Sequence, residues 1–291
     1  MNNEHTFEGN PKMLLLKSMA KKNENIVSLA KKLAGVFEDC GKMTIAVSGG
    51  VDSMTLASFA QRQLGRERVK MIHALSPAVP KAATSRVKKQ SEAENWDVEL
   101  VDAGEFADEH YLSNPFNRCF FCKSNLYKTL SQISQGTLVS GTNSDDLQDF
   151  RPGLQAAEEH QVRHPFVEAD FAKEDVRALA RHLGLPELSQ LPASPCLSSR
   201  VETGIRINNN DLEAIDKVET WIQDHYSPKT VRCRVLEEGI IIQLDTNTLE
   251  GLVLKNQKET VLKIKNIFHH RPEIGIRFER YQRGSAFLIP G

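Results

Sequence analysis

Apolar residues recur at helical spacing over residues 12–38, through Leu15, Met19, Ile26, Leu29, Leu33, Val36 and Phe37. Asp39-Cys40-Gly41-Lys42 ends that pattern. Residues 43–47 are a short apolar run and predict a buried strand, followed by a helix over 53–64 that Gly65 closes. The alternation continues with strands at 69–74, 98–101 and 137–140 and helices at 81–96, 120–133 and 173–183. Glu174 and Asp175 stand in the first turn of the last of these helices, with Gly184 and Pro186 past its end. Strands alternating with helices imply an α/β fold: a parallel sheet with helices on both faces.

The style changes after about residue 205. Residues 211–224 are amphipathic through Leu212, Ile215, Val218 and Ile222. Two strands are expected at 230–236 and 240–244 around Glu238-Gly239, then a helix over 247–269 and a last strand over 274–281. The expected organisation is one α/β domain over 1–205 and a smaller α+β domain over 206–291.

Composition narrows the function. The chain has 291 residues, 40% hydrophobic and 26% charged, enough for a sizeable core. A formal net charge of -1 with no basic tract argues against nucleic acid and membrane surfaces as partners. No apolar run approaches the ~20 residues that span a bilayer, and Met13-Leu14-Leu15-Leu16 is too short for a signal-peptide core. A cytoplasmic location is the expectation. Five cysteines, Cys40, Cys119, Cys122, Cys196 and Cys233, are odd in number and widely spread, unlike a disulfide framework.

The strongest local signal is Ser48-Gly49-Gly50-Val51-Asp52-Ser53, between a strand and a helix. Adjacent glycines let backbone amides close around phosphate oxygens, Ser48 and Ser53 add hydroxyl donors, and the helix presents its positive end. Asp52 is out of place in a pure anion site unless a Mg²⁺ bridges it to the phosphates. The loop lacks the Gly-Lys-Ser/Thr of a Walker motif and is not Gly-x-Gly-x-x-Gly. It matches the pyrophosphatase-type ATP enzymes. Cys119-Phe120-Phe121-Cys122 is a Cys-x-x-Cys pair beside Arg118 and Lys123, and Cys196 lies in Ser194-Pro195-Cys196-Leu197-Ser198-Ser199-Arg200. Such a pair fits half a zinc site, a redox pair or half a cluster site, and three thiolates can hold a [4Fe–4S] cluster with one iron open. The adjacent cations are expected to lower thiol pKa, while Cys40 and Cys233 are expected to be structural.

The loop at 48–53, Asn114-Pro115, Arg118 to Lys123, Gly141-Thr142-Asn143-Ser144-Asp145-Asp146, Asp149-Phe150-Arg151-Pro152-Gly153 and Pro195 to Arg200 occur in this order. As a set they resemble the LarE-type ATP-dependent sulfur transferases, over about residues 40–205. The resemblance implies a Rossmann-like, adenine-nucleotide alpha-hydrolase-like fold, a homo-oligomer, and ATP with Mg²⁺ at Ser48, Gly49, Gly50, Asp52 and Ser53. It implies adenylation of a nicotinate-derived mononucleotide, pyridinium-3,5-biscarboxylic acid mononucleotide, and its conversion to a thiocarboxylate for the nickel-pincer cofactor. Cys119, Cys122 and Cys196 match the three-cysteine version that holds a [4Fe–4S] cluster; without a cluster, Cys196 is the sacrificial sulfur donor. Lys123 and Arg200 would meet phosphate or substrate, and Arg232 and Arg234, alternating on one strand face, would bind the anionic substrate. Glu219 lies near a family metal-binding carboxylate, and Glu250 stands near a second. Val201-Glu202-Thr203-Gly204 replaces the family's Ile-Pro-Tyr-Gly, and Ser140 stands where Asp is usual. Both changes bear on the acceptor more than on the ATP chemistry. Three other readings remain open: a tRNA thiolase, which would need a basic surface; an adenylating ligase using glutamine or ammonia, which would not need three cysteines; and a non-enzymatic ATP-binding module.

Overall fold

The computed structural model describes residues 11–147, 152–282 and 284–286. The elements follow in the order α1 (Pro11–Cys40), β1 (Met43–Ala46), α2 (Val51–Leu64), β2 (Val69–Leu75), α3 (Lys81–Glu94), β3 (Asp97–Asp102), α4 (Glu109–Leu112), α5 (Arg118–Ile133), β4 (Thr137–Ser140), α6 (Pro152–Glu159), α7 (Pro165–Glu168), α8 (Lys173–His182) and α9 (Pro186–Ser189). Then come α10 (Asn209–Tyr226), β5 (Val231–Leu236), β6 (Gly239–Leu244), α11 (Thr246–Lys255), α12 (Gln257–Ile267) and β7 (Ile276–Arg280).

Strands β1 to β4 form one parallel sheet in the order β3-β2-β1-β4. Alternate residues of its strands enter different cores, as the twofold repeat of a strand requires. Met43, Ile45 and Met71 pack with α1, α2 and α8 through Leu33, Phe37, Leu56, Val176 and Leu179. Ile72 and Leu138, with Ala46 and Val101, pack instead against Tyr127, Leu130, Ala156 and Ala157 of α5 and α6. The expected α/β architecture, a parallel sheet with helices on both faces, is therefore present. Because the strands are parallel, the turns after β1, β2, β3 and β4 all leave from one end of the sheet, where ligands of such sheets gather.

The second sheet has the order β5-β6-β7, with β5 and β6 antiparallel and β6 and β7 parallel. Its core joins α10 and α12 to both strands of the hairpin through Ile215, Val218, Ile222, Val235, Ile242 and Ile264. The same core draws in Ala78, Tyr111, Leu197 and Val201 from the earlier part of the chain, with Cys122 and Cys196 packed against it. The cysteine-bearing segments thus lie where the second core meets the first sheet.

The single helix expected over 247–269 is two helices. Asn256 stands between them at φ -140° and ψ 20°, ending α11 and starting α12. The four-residue helices α4, α7 and α9 are too short to register as periodicity. Among the described residues no helix is long and apolar enough to cross a membrane.

Candidate active site

The loop between β1 and α2 is held by its own hydroxyls. The Ser48 amide donates to Ser53 Oγ at 3.0 Å, and the two serine hydroxyls share a hydrogen bond of 3.0 Å. Gly49 has φ +78°, and a Cβ there would lie 2.6 Å from the Ala83 carbonyl oxygen of α3. Glycine is therefore required on both conformational and steric grounds. Gly50 caps α2 in extended conformation with no side-chain bond, which leaves the first amides of a fourteen-residue helix facing the turn. On the other side, a Cβ on Gly141 would lie 2.6 Å from the Ser53 amide nitrogen, so the turn after β4 packs on the loop backbone.

Asp52 has both carboxylate oxygens engaged. Asn143 Nδ2 donates to Oδ1 at 3.1 Å, and Lys173 Nζ forms an ion pair with Oδ2. A Mg²⁺ at this carboxylate would have to share it with Lys173 or displace the lysine. Lys173 itself opens α8, and its amide donates to Asp145 Oδ2 at 3.0 Å. Asp145 thus serves as a cap for α8, and Asp146 Oδ2 accepts from the Asn143 amide at 3.2 Å. Asp149, Phe150 and Arg151 lie outside the described residues.

Cys119, Cys122 and Lys123 stand in the first two turns of α5. Gly153 of α6 fits closely there, since a Cβ on it would be 3.0 Å from Lys123 Cγ. The Lys123 ammonium lies over the Tyr127 ring, 5.6 Å from its centroid. Tyr127 and the three nearby thiols, Cys122, Cys119 and Cys196, raise the Lys123 pKa against the opposing effect of burial. Cys122 departs from expectation. Burial first, then Cys196, Glu105 and Cys119, push its thiol pKa well up, and Lys123 only partly opposes them. A cation next in sequence does not make a reactive thiolate when burial dominates.

Cys196 precedes a 3₁₀ turn over Leu197–Arg200. That turn is anchored by the Leu197 amide on Ala78 O at 2.7 Å and by Tyr111 and Ser198 hydroxyls 2.6 Å apart. All five cysteines are free of disulfides; Cys40 and Cys233 are buried and the other three half-buried. The three half-buried thiols therefore come from two segments into electrostatic range of one another. Among the described residues no three His, Cys, Asp or Glu side chains are close enough to hold a single metal ion. A four-iron cluster spreads its ligands further apart than one ion does. The donor set, three thiols beside a lysine, fits that group in kind.

Arg200 is buried and fully bonded. Its Nε and one terminal nitrogen bind the two Glu219 oxygens at 3.0 Å each, and the other terminal nitrogen reaches Pro195 O, Cys196 O and Ser199 Oγ. Glu219 also accepts the Cys233 amide at 2.9 Å. Arg234, buried as well, donates to Gln243 Oε1, Ser199 O and Gln282 O. Arg232 donates to Val231 O and Ala193 O and lies over the Tyr281 ring. Burial first, and then the Arg200 charge, lower the pKa of both Arg232 and Arg234. Of these three guanidinium groups beside the Cys196 turn, Arg200 alone is bonded to the Glu219 carboxylate. Glu250 stands apart, 3.7 Å from Arg280.

The sequence is 37% identical to an uncharacterised protein of Synechocystis sp. over 200 residues, covering 67% of this chain and 74% of that protein. The chain belongs to the family of that Synechocystis protein. A more distant relative in Lactiplantibacillus plantarum is pyridinium-3,5-bisthiocarboxylic acid mononucleotide synthase, 28% identical over 230 residues, 78% of this chain and 83% of the synthase. The NH(3)-dependent NAD(+) synthetase of Chlorobium phaeovibrioides is 22% identical over 258 residues, 82% of this chain and 86% of the synthetase. No family model matches the chain.

In this family member, the sequence reading showed Asn143 inside a motif but not its bond to Asp52, and it did not single out Lys173. Lys173 did carry a signal: a lysine in the first turn of a helix opposes the helix dipole and calls for an acidic partner. Glu105 escaped too. It is 4% exposed, one carboxylate oxygen lacks a hydrogen bond, and burial pushes its pKa up beside Ser76, Asp102 and Lys123. Nothing in the sequence near Glu105 marks it as buried.

Proposed function

We propose that the chain is an adenylating ATP-dependent sulfurtransferase acting on a nicotinate-derived mononucleotide. ATP lies with its outer phosphates against Ser48, Gly49, Gly50 and Ser53. A carboxylate oxygen of pyridinium-3,5-biscarboxylic acid mononucleotide attacks the α-phosphorus. The new O–P bond forms, the bond to the bridging oxygen breaks, and pyrophosphate leaves with that electron pair. A sulfur nucleophile then attacks the acyl carbon; the C–S bond forms, the C–O bond to AMP breaks, and a thiocarboxylate remains. Mg²⁺ at Asp52 would neutralise the phosphates. Lys173 adds positive charge at this loop and Lys123 beside the thiols; Arg232 meets the mononucleotide's anionic groups, while Arg234, its donors taken by Gln243, Ser199 and Gln282, braces the strand next to it. Arg200 acts through its hold on the Cys196 turn. Residues 1–205 carry the ATP and cysteine chemistry, and 206–291 contribute substrate contacts and self-association.

Cys119, Cys122 and Cys196 would hold a [4Fe–4S] cluster, whose open iron would supply a non-cysteine sulfur. Without it, Cys196 Sγ makes the attack itself. Its Cβ–Sγ bond then breaks with loss of the Cα proton to solvent, leaving dehydroalanine.

What carries the reading is one short segment in a relative of the synthase. Residues 78–83 touch the glycine loop through Ala83 and the Cys196 turn through Ala78. That proximity supports a reading in which phosphate loop and thiols serve one site. Incubation with ATP, Mg²⁺ and the mononucleotide should yield AMP, pyrophosphate and a product in which sulfur replaces a carboxylate oxygen by mass spectrometry. ADP as the product would remove the adenylation reading.

A further inference from the structure

Arg86 lies in the second turn of α3, directly over the glycine loop. Its Nε donates to the Gly49 carbonyl at 3.0 Å. Ala83, three residues earlier on the same helix, is the residue that a Cβ on Gly49 would strike. The contact fixes one edge of a flat guanidinium against the loop. The two terminal nitrogens make no hydrogen bond, and no carboxylate pairs with them among the described residues. Arg86 is half-buried, and burial alone, with no compensating acid, pulls its pKa down.

Three other arginines near this sheet each have an acid partner. Arg62 meets Glu94, Arg66 meets Asp97, and Arg68 meets Glu38. A cation taken partly out of water without a partner is costly, and the cost is recovered when an anion arrives. The anion must fit beside Gly49, at the start of a helix that has no side-chain cap. A guanidinium gripped at Nε presents its remaining donors as a fork, the shape that matches two phosphate oxygens.

We propose that Arg86 binds the outer phosphates of ATP and holds them as the leaving pyrophosphate. This rests on the nucleotide reading above and adds a residue to it. Arg86 works opposite Lys173: the arginine is tied to the loop through Gly49 O and the lysine through Asp52. Arg86 is then a direct contact of the departing group rather than a brace for the loop. A brace would affect every nucleotide alike, whereas a phosphate contact distinguishes nucleotides by their outer phosphates.

The test measures binding of Mg²⁺·ATP, Mg²⁺·pyrophosphate and AMP by calorimetry to the full chain and to its Arg86→Ala and Arg86→Lys variants, with thermal unfolding as the folding control. Arg86→Ala should weaken ATP and pyrophosphate about 10- to 100-fold and AMP less than about threefold, and Arg86→Lys should recover part of the loss. Unchanged ATP binding, or equal losses for AMP and ATP, would overturn the role of Arg86 while leaving the nucleotide site standing. If the unaltered chain binds neither ATP nor pyrophosphate, the nucleotide reading falls, and this proposal with it.

Discussion

Arg200 keeps its charge at 2% exposure because Glu219 faces it with two oxygens. Burial works against that charge, and Glu219, with smaller contributions from Cys196 and Cys233, more than offsets it. The Cys196 turn hangs on the result, since the same guanidinium binds the carbonyls of Pro195 and Cys196. Removing one partner of a buried pair leaves the other uncompensated. We therefore expect Glu219→Ala to lower unfolding free energy by about 3–5 kcal/mol in urea titrations. A loss under about 1 kcal/mol would mean that the carbonyls alone support the cation. The motif made Arg200 visible in the sequence, but as a ligand contact. Its partner lies nineteen positions away on α10, and no local pattern joins the two, so its confinement inside the protein was not legible. Lys123 illustrates the same limit. Its adjacency to Cys122 was plain, whereas the burial that raises the Cys122 thiol depends on a core contributed by α10 to α12.

The strand–turn–helix unit from β1 to α2 was legible almost residue by residue. A short apolar run, two glycines and a helical period each have a local cause. The structure adds what the glycines face. Gly49 is pressed by α3 and Gly141 by the loop itself, so the unit is shaped by two neighbouring turns as well as its own sequence. Gly49→Ala should cost about 1–3 kcal/mol and abolish measurable ATP binding, because the added methyl must push α3 and Arg86 away. Gly204→Ala is the control. Gly204 has φ +91° but open space around its Cβ position, so strain without collision should leave ATP binding intact. Equal nucleotide affinity in the two variants, measured by titration with folding checked by circular dichroism, would show that the approach of α3 is unimportant. The second sheet was legible as strands and helices, though α11 and α12 were read as one because Asn256 is a weak breaker in sequence terms.

Two cores meet at the thiols, and this junction accounts for most of what the sequence withheld. Parallel strands bring the turns after β1 and β4 to one end of the first sheet. The second core then reaches back to Ala78, Tyr111 and Leu197, closing the cysteine segments against that end. Motif order alone implied that these segments work together. Which side chains remain open to a ligand follows only from how the cores dock: Arg86 does, Arg200 does not. The formal net charge of -1 gives the molecule no overall attraction for a polyanion. The account turns on which oxygen attacks which phosphorus. The most direct measurement follows a mononucleotide whose carboxylates carry a heavy oxygen isotope through one turnover with ATP. Adenylation predicts one heavy oxygen in the AMP and none in the pyrophosphate. Label appearing in inorganic phosphate or pyrophosphate, with AMP unlabelled, would contradict it.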